Sequence, residues 1–372
     1  MNRLPKLLFV VTEDWYFVSH RLPLAVAAQK AGFDVAVATR VGEHGETIRT
    51  AGIRLVPFGL SRRRGNPLRE VAALTRLYRR ERPDIVHHVA LKPIVYGALA
   101  ARIACLPAQV NAVTGLGWLF TSAKGMMGLF RPVIRWTLAW LLNARGSLTI
   151  VQNLDDRALL IRTHVPETRL RLIRGAGVDT TLFHPVPEPC GVICIVLAAR
   201  MLWDKGVGEF VEAACLLIQA GVKANFILVG DPDTDNPTSV PVATLHAWHG
   251  HNGVEWWGRR DDMPAVFSTA HIACLPSYRE GLPKVLLEAA ACGLPIVTTD
   301  APGCREIVHD GDNGFLVPVR DAQALAVALR SLIDNEALRA KMGRRAREIV
   351  LAEFSQERII AETLAVYQEL IP

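Results

Sequence analysis

Two glutamates, Glu280 and Glu288, bracket the stretch EGLPKVLLE within LPSYREGLPKVLLEAAACGLP (275–295). A carboxylate has two acceptor oxygens, so it can hold the hydroxyls that a sugar or a ribose presents side by side. Between the two acids, Gly281 lets backbone come close to a ligand. An apolar run (271–275) ends, a short polar turn follows, and Pro283 is expected at the first position of a helix, where its missing N–H costs nothing. Amides at such a helix start accept phosphate. A second charged pair lies upstream. Arg200 closes the run VICIVLAAR and Lys205 opens the next helix, a fork and a point charge suited to a diphosphate. Alone, these features also describe an ordinary strand–turn–helix with surface charges, because a motif needs its context.

The elements that must position these groups alternate along the whole chain. KLLFVV, FDVAVAT, RLVPFGL, DIVHHVA, QVNAVT and SLTIVQ are short β-rich runs, each followed by a helical or loop stretch. A break follows at HPVPEPC (184–190), where three prolines fall in five positions. Then VICIVLAAR, NFILVGD, VEWWG, HIACLP, PIVTTD and NGFLVPV repeat the pattern. Alternation of this kind predicts an α/β fold of two tandem, doubly wound parallel sheets with a cleft between them. The expected domains are 1–186, 187–354, and a C-terminal amphipathic helix over 355–372 that crosses back to the first. Ligands of such sheets collect at the carboxyl ends of the strands. In the first half that rule points at Thr12–His20, at His87, His88 and Lys92, and at Thr114, Gly115 and Gly117 in the loop TGLGWLF. His20 is a candidate for binding an acceptor or moving a proton, with a structural role as the alternative. His87 and His88 alternate across a strand, so at most one faces a ligand. No glycine-rich phosphate loop follows the first strand, which places no nucleotide there.

Composition narrows the classes. At 372 residues, half of them hydrophobic, the chain is globular and long enough for two cores. Its seven cysteines are scattered without a CxxC or a Cys/His cluster, which predicts reduced, mostly buried thiols in a cytoplasmic protein with no metal site. The basic, apolar N-terminus reads as a first strand rather than a signal peptide. No stretch has the ~18 uninterrupted apolar residues of a membrane span.

Charge is divided unevenly. Residues 1–180 carry 26 Lys and Arg against 12 Asp and Glu, while the remainder carries 16 against 24. The first half is therefore expected to meet something anionic: a nucleic acid, a membrane surface or a lipid-linked phosphate. Residues 124–145 favour the membrane. Met126, Met127, Leu129, Phe130, Trp136, Trp140 and Leu141 are framed by Lys124, Arg131, Arg135 and Arg145, as in a helix lying on an anionic bilayer, with a core helix as the alternative. No nucleic-acid module or aromatic RNA-binding pattern is present, and no nucleic-acid partner is expected.

The chain resembles the retaining glycosyltransferases of the large group-1 (GT4) family, which have the two-domain GT-B fold. The matching pieces are GAGVDTTLFHP, AARMLWDKGVGEFVEAA, NFILVGD, the Glu280–Glu288 stretch, and PIVTTDAPGCREIVHDGDNGFLVP. The resemblance implies that Arg200 and Lys205 bind the donor's diphosphate and stabilise the leaving nucleoside diphosphate, making a metal unnecessary. It implies that Glu280 holds donor-sugar hydroxyls and that Glu288 takes both ribose hydroxyls. Amides over Gly281, Leu282 and Lys284 would meet the diphosphate or sugar, and backbone at Gly258 and Arg259 would hold the base. The N-terminal half is similar to the subgroup that extends undecaprenyl-diphosphate-linked sugars, galactosamine transferases included. That implies a nucleotide-sugar donor (UDP-linked), no other cofactor, a lipid-linked saccharide acceptor, and a cytoplasmic enzyme held at the inner face of the membrane. Two departures bear on the acceptor side. Glu13–Asp14 stands where many relatives have a glycine pair, and Thr114 stands where many have a histidine, so no general base is assigned. Two other classes fit parts of the sequence: a UDP-sugar 2-epimerase or hydrolase of the same fold, and a non-enzymatic basic membrane- or nucleic-acid-binding protein.

Overall fold

A computed structural model describes residues 3–60, 65–116 and 127–371, with the backbone alone at 127–132 and 134. The chain divides into two units, 1–176 with 358–372, and 177–357.

The first unit holds β1 (Lys6–Glu13), α1 (Asp14–His20), α2 (Leu22–Lys30), β2 (Asp34–Arg40), α3 (Gly45–Thr50), β3 (Arg54–Pro57), α4 (Pro67–Glu81), β4 (Ile85–Val89) and α5 (Leu91–Ile103). β5 (Ala108–Ala112), α6 (Met127–Leu142), β6 (Ser147–Val151), α7 (Leu154–Arg162) and β7 (Leu170–Leu172) complete its N-terminal part. The second unit holds β8 (Ile193–Ala198), α8 (Val207–Gln219), β9 (Ala224–Val229), α9 (Val242–Trp248), β10 (Val254–Gly258), α10 (Met263–Ser268) and β11 (Ile272–Leu275). It continues with α11 (Lys284–Ala291), β12 (Ile296–Thr299), β13 (Gly314–Val317), α12 (Ala322–Ile333) and α13 (Glu336–Glu353), after which α14 (Gln356–Leu370) ends the chain.

Both sheets are parallel among the described residues. Their strand orders are β3-β2-β1-β4-β5-β6-β7 and β10-β9-β8-β11-β12-β13. Each order reverses at one place, between β1 and β4 in the first unit and between β8 and β11 in the second. Such switch points open a crevice at the carboxyl ends of the strands. The strands read as near-continuous apolar runs because helices cover both faces. In the second unit one face buries Val196, Ile227, Leu286 and Ile349, and the other Ile195, Phe226, Phe210 and Leu329.

Three sequence expectations change. First, the units part at Ala176/Gly177 and at Glu357/Arg358, not at 186/187 and 354/355. The reason is pairing: the Val178 amide donates to the Phe354 carbonyl at 3.0 Å and the Gln356 amide to the Val178 carbonyl at 3.0 Å. Val178 and Phe183 are buried in the second unit's core, ahead of the proline-rich break. Second, β7, only three residues long, escaped the pattern; it adds to the sheet edge beside β6. Third, neither His87 nor His88 faces a ligand, because both are fully buried in β4. His87 stacks on Phe9 with ring centroids 5.1 Å apart, and its Nδ1 is 2.6 Å from the Tyr367 hydroxyl of α14. On the opposite face, His88 Nδ1 lies 2.8 Å from Asn111 Oδ1 and its Nε2 2.8 Å from the Tyr78 hydroxyl. An amide oxygen only accepts, so Nδ1 carries the proton and Nε2 accepts from Tyr78. Burial pushes the His88 pKa down to about 4, against the smaller upward pull of Asn111.

α14 brings Ile359, Thr363, Val366 and Tyr367 onto one face at helical spacing, and that face is buried in the first unit's core. The cysteines are all free thiols, with Cys194, Cys274, Cys292 and Cys304 buried.

Candidate active site

The second unit's switch point collects most of the charged residues singled out for the donor, Arg200, Lys205, Glu280, Lys284 and Glu288. Arg200 stands two residues past the end of β8, and the chain then turns through a 3-10 segment (Trp203–Lys205) into α8. Gly206 caps α8 with a φ of 72°. A Cβ at Gly206 would lie 2.1 Å from the Pro276 carbonyl oxygen, so this position requires glycine on both counts. That close approach sets Lys205 beside the loop leaving β11. The Lys205 ammonium pairs there with Glu280 Oε1, which also accepts from the Ser277 hydroxyl at 2.6 Å.

A second glycine locks the turn from behind. Gly303, with a φ of 81°, packs where a Cβ would meet the carbonyl oxygens of Glu280 and Gly281, each at 2.7 Å. The Glu280 amide donates to the Pro302 carbonyl at 3.1 Å, and the Thr298 hydroxyl to the Leu275 carbonyl at 2.6 Å. Tyr278 donates its hydroxyl to Glu209 Oε1 at 2.6 Å, while the Arg320 guanidinium lies 4.5 Å from its ring centroid. Partial burial, then the bond to Glu209, push the Tyr278 pKa up to about 12, so it remains a donor at neutral pH.

Pro283 is the N-cap of α11 rather than its first helical residue, and the helix starts at Lys284. The sequence rule for proline fits either place, since neither needs its N–H; its φ of −74° with ψ of 106° is the extended geometry of a cap. Starting at Lys284 puts Glu288 one turn further on, and the two side chains pair at 3.2 Å. Leu282 is half-buried against the core. Glu288 is 9 % exposed. Burial raises its pKa, and the Lys284 ammonium opposes that shift.

Arg200 has a partner the sequence reading missed. Its Nη1 donates to Asp233 Oδ2 at 2.7 Å, from the loop after β9. Each of the four cationic residues named for the donor site, Arg200, Lys205, Arg259 and Lys284, therefore pairs with a carboxylate of the protein itself. The signal was in the sequence, as three aspartates in DPDTD (231–235) after an expected strand end. Another of them acts on the backbone: the Arg259 amide donates to Asp231 Oδ1 at 3.1 Å, and Gly258, with a φ of 65°, accepts from the Gly230 amide at 2.8 Å. Gly258 and Arg259 thus sit at the end of β10, the edge strand of this sheet.

In the first unit, the corresponding place after β1 is filled by the protein's own acid. Asp14 is buried and accepts from the amides of Trp15 at 2.8 Å, Gly42 at 2.6 Å and His44 at 3.1 Å. A carboxylate of the protein thus occupies that cradle of amides. His20 stacks flat on Tyr16, with centroids 4.2 Å apart and 3° between planes. Next to it, Arg21 is buried at 4 % exposure; burial first, and then the Arg21 charge, depress the neighbouring His87. Thr114 and Gly115 follow β5 half-buried, Gly115 with a φ of 132°. Gly117, Lys124 and Met126 lie outside the described residues, as do the side chains of Met127, Leu129, Phe130 and Arg131.

Among the described residues, no group of three or more His, Cys, Asp or Glu could hold a metal ion, and no helix is long and apolar enough to cross a membrane.

Two Rossmann-like sheets in one chain, with charged side chains at the second switch point, are the architecture of a GT-B glycosyltransferase. The solved structures agree on the fold. HepE of Anabaena, in complex with UDP and glucose, superposes with a TM-score of 0.79 at 21% identity over 98% of this chain and 100% of its own. Sucrose-phosphate synthase of Thermosynechococcus elongatus gives 0.81 at 20% identity over 98% and 99%. The pattern of the family "Glycosyl transferases group 1" matches residues 193–335, and that of "Glycosyl transferase 4-like" matches residues 6–147. Its two halves thus match group-1 and 4-like glycosyltransferase domains, and the chain is a glycosyltransferase. It is 27% identical to the N,N'-diacetylbacillosaminyl-diphospho-undecaprenol alpha-1,3-N-acetylgalactosaminyltransferase of Campylobacter jejuni, over 94% of this chain and 95% of the relative. It is 23% identical to the UDP-Gal:alpha-D-GlcNAc-diphosphoundecaprenol alpha-1,3-galactosyltransferase of Escherichia coli, over 82% and 80%.

Proposed function

We propose that this protein transfers a hexose or N-acetylhexosamine from a UDP-sugar to an undecaprenyl-diphosphate-linked saccharide, with retention of configuration, in the synthesis of a bacterial surface glycan. It would act at the inner face of the cytoplasmic membrane. What carries the reading is the set of charges at the β8/β11 switch point: Lys205 held against Glu280, Arg200 at the end of β8, and Glu288 buried one turn into α11. Two relatives that act on undecaprenyl-diphosphate-linked sugars match this chain over most of its length.

In this mechanism the donor diphosphate takes the Arg200 and Lys205 side chains from their resident carboxylates. Lys205 then leaves Glu280 as an acceptor for donor-sugar hydroxyls near the anomeric carbon. Glu288 receives the ribose hydroxyls. As the glycosidic bond to the diphosphate breaks, negative charge grows on the β-phosphate, and the two fixed cations stabilise it as a divalent metal would. The leaving phosphate accepts the proton of the attacking hydroxyl on the same face of the sugar. The new bond therefore forms on the side from which the diphosphate departs, and no general-base side chain is required.

The test is a donor panel of UDP-sugars with a lipid-extract acceptor, following UDP release and the anomeric configuration of the product, with and without EDTA. Acceptor-dependent UDP release with a retained anomer is expected, unchanged by chelation. An Arg200→Ala or Lys205→Ala variant at full activity, or an inverted product, would overturn the mechanism. A new epimer formed without acceptor would replace the transferase reaction with an epimerase.

A further inference from the structure

Part of α6 faces outward. Val133, Trp136 and Trp140 are 59%, 68% and 41% exposed, at i, i+3 and i+7 on one helix face, while Leu138, Leu141 and Leu142 turn into the core. The core alternative for this stretch therefore fails at both tryptophans. Beside them lies a groove of ≈ 910 Å³ whose lining includes Arg102, Arg135, Trp136, Trp140, Arg162 and His164.

The three arginines converge from three helices. Arg102, near the end of α5, stacks its guanidinium 3.9 Å from the Trp140 ring centroid and donates to the Trp140 carbonyl at 3.1 Å. Arg135 of α6 donates to the carbonyl of Arg162, the last residue of α7, at 3.3 Å. Each of these bonds runs to a backbone carbonyl, which leaves the cationic charge uncompensated. Among the described residues no acid lines the groove, and no Asp or Glu occurs in the sequence between Asp84 and Asp155. This contrasts with the donor cations of the second unit, each matched to a carboxylate.

We propose that this groove is a headgroup site: it takes the phosphate of an anionic phospholipid in a bilayer, with Trp136 and Trp140 lying at the level of the headgroups. The charge complementarity is one-sided, since three guanidinium forks present donors to an oxyanion and nothing in the groove repels it. The tryptophans supply what a soluble anion would not use, large rings with an apolar body and one N–H donor, suited to the boundary between water and lipid. A groove for nucleic acid would instead need basic side chains tracking a backbone over several nucleotides. The inference deepens the reading of a membrane-borne acceptor and rests on it. The site would hold the enzyme on the surface where that acceptor lies.

The experiment is co-sedimentation of the full chain with phosphatidylcholine vesicles and with vesicles containing phosphatidylglycerol. Binding is expected to the second kind only. Each arginine at an anionic surface is worth about fivefold, so the Arg102→Gln/Arg135→Gln/Arg162→Gln variant should bind on the order of 100-fold more weakly. Trp136→Ala/Trp140→Ala should also release the protein, and both variants should keep wild-type UDP affinity, which reports an intact fold. Equal binding to neutral vesicles, retention by the triple variant, displacement by millimolar glycerol phosphate alone, or binding to DNA in place of vesicles would each overturn the proposal. Transfer to a water-soluble, short-chain acceptor separates the two readings. Vesicle binding that survives with no transfer counts against the transferase mechanism and supports the groove; transfer without selective vesicle binding does the reverse.

Discussion

Glu280 and Lys205 are bonded to one another, yet the mechanism gives them opposite effects on the nucleotide. Without donor, the ammonium is shared with Glu280 Oε1, and the two side chains are 20% and 12% exposed. A diphosphate that claims Lys205 must draw it from that carboxylate. A pair this shielded sits near the upper end of exposed-pair strengths, about 1 kcal/mol. Glu280→Gln keeps the shape and the bond to Ser277 but removes the competing charge. UDP should then bind about fivefold tighter, while sugar transfer falls by about 100-fold or more through loss of a charged acceptor on the sugar. Lys205→Ala should weaken UDP by about 10- to 150-fold, the range of one charge-assisted hydrogen bond. Titration calorimetry with UDP reads both effects, and uridine, which has no phosphate, should respond to neither variant. If Glu280→Gln weakened UDP as Lys205→Ala does, or if uridine lost affinity equally, the competition between carboxylate and diphosphate would be refuted.

Two further outcomes test the scaffold. Gly206→Ala should cost about 1–3 kcal/mol from its left-handed backbone and the contact with Pro276, and should disturb the Lys205 position, lowering thermal midpoint and transfer together. Gly221→Ala, with a φ of 80° but nothing within 4 Å, should show the backbone cost alone and keep transfer. His88 has a folded pKa depressed to about 4, so its contribution to stability is present above the unfolded value of ~6.5 and is lost as pH falls toward 4. At pH 4.5 that loss is about 2–3 kcal/mol, and urea unfolding of His88→Gln should show a correspondingly smaller drop between pH 7 and 4.5. Equal pH dependence in variant and wild type would place the proton uptake elsewhere.

Much of this molecule is legible in the order of its residues. Twelve apolar runs marked strands that form, because strands covered on both faces must be continuously apolar. The place of Glu280, between a strand end and a helix start, followed from the same local signals. β7 did not, since three residues carry no period.

What the sequence could not decide was pairing across distance. Val178 belongs to the second unit because its backbone bonds to Phe354 and Gln356, far along the chain, and no local signal marks that bond. At most one of His87 and His88 was expected to face a ligand, and only burial, with Tyr367 arriving from α14 and Tyr78 from α4, makes both neutral members of the core. The charges at the switch point divide in the same way. Their types and spacing pointed to a site for hydroxyls and a diphosphate. Which carboxylate holds which cation, Asp233 for Arg200 and Glu280 for Lys205, depends on loops brought together by a parallel sheet, whose neighbouring strands are distant in sequence.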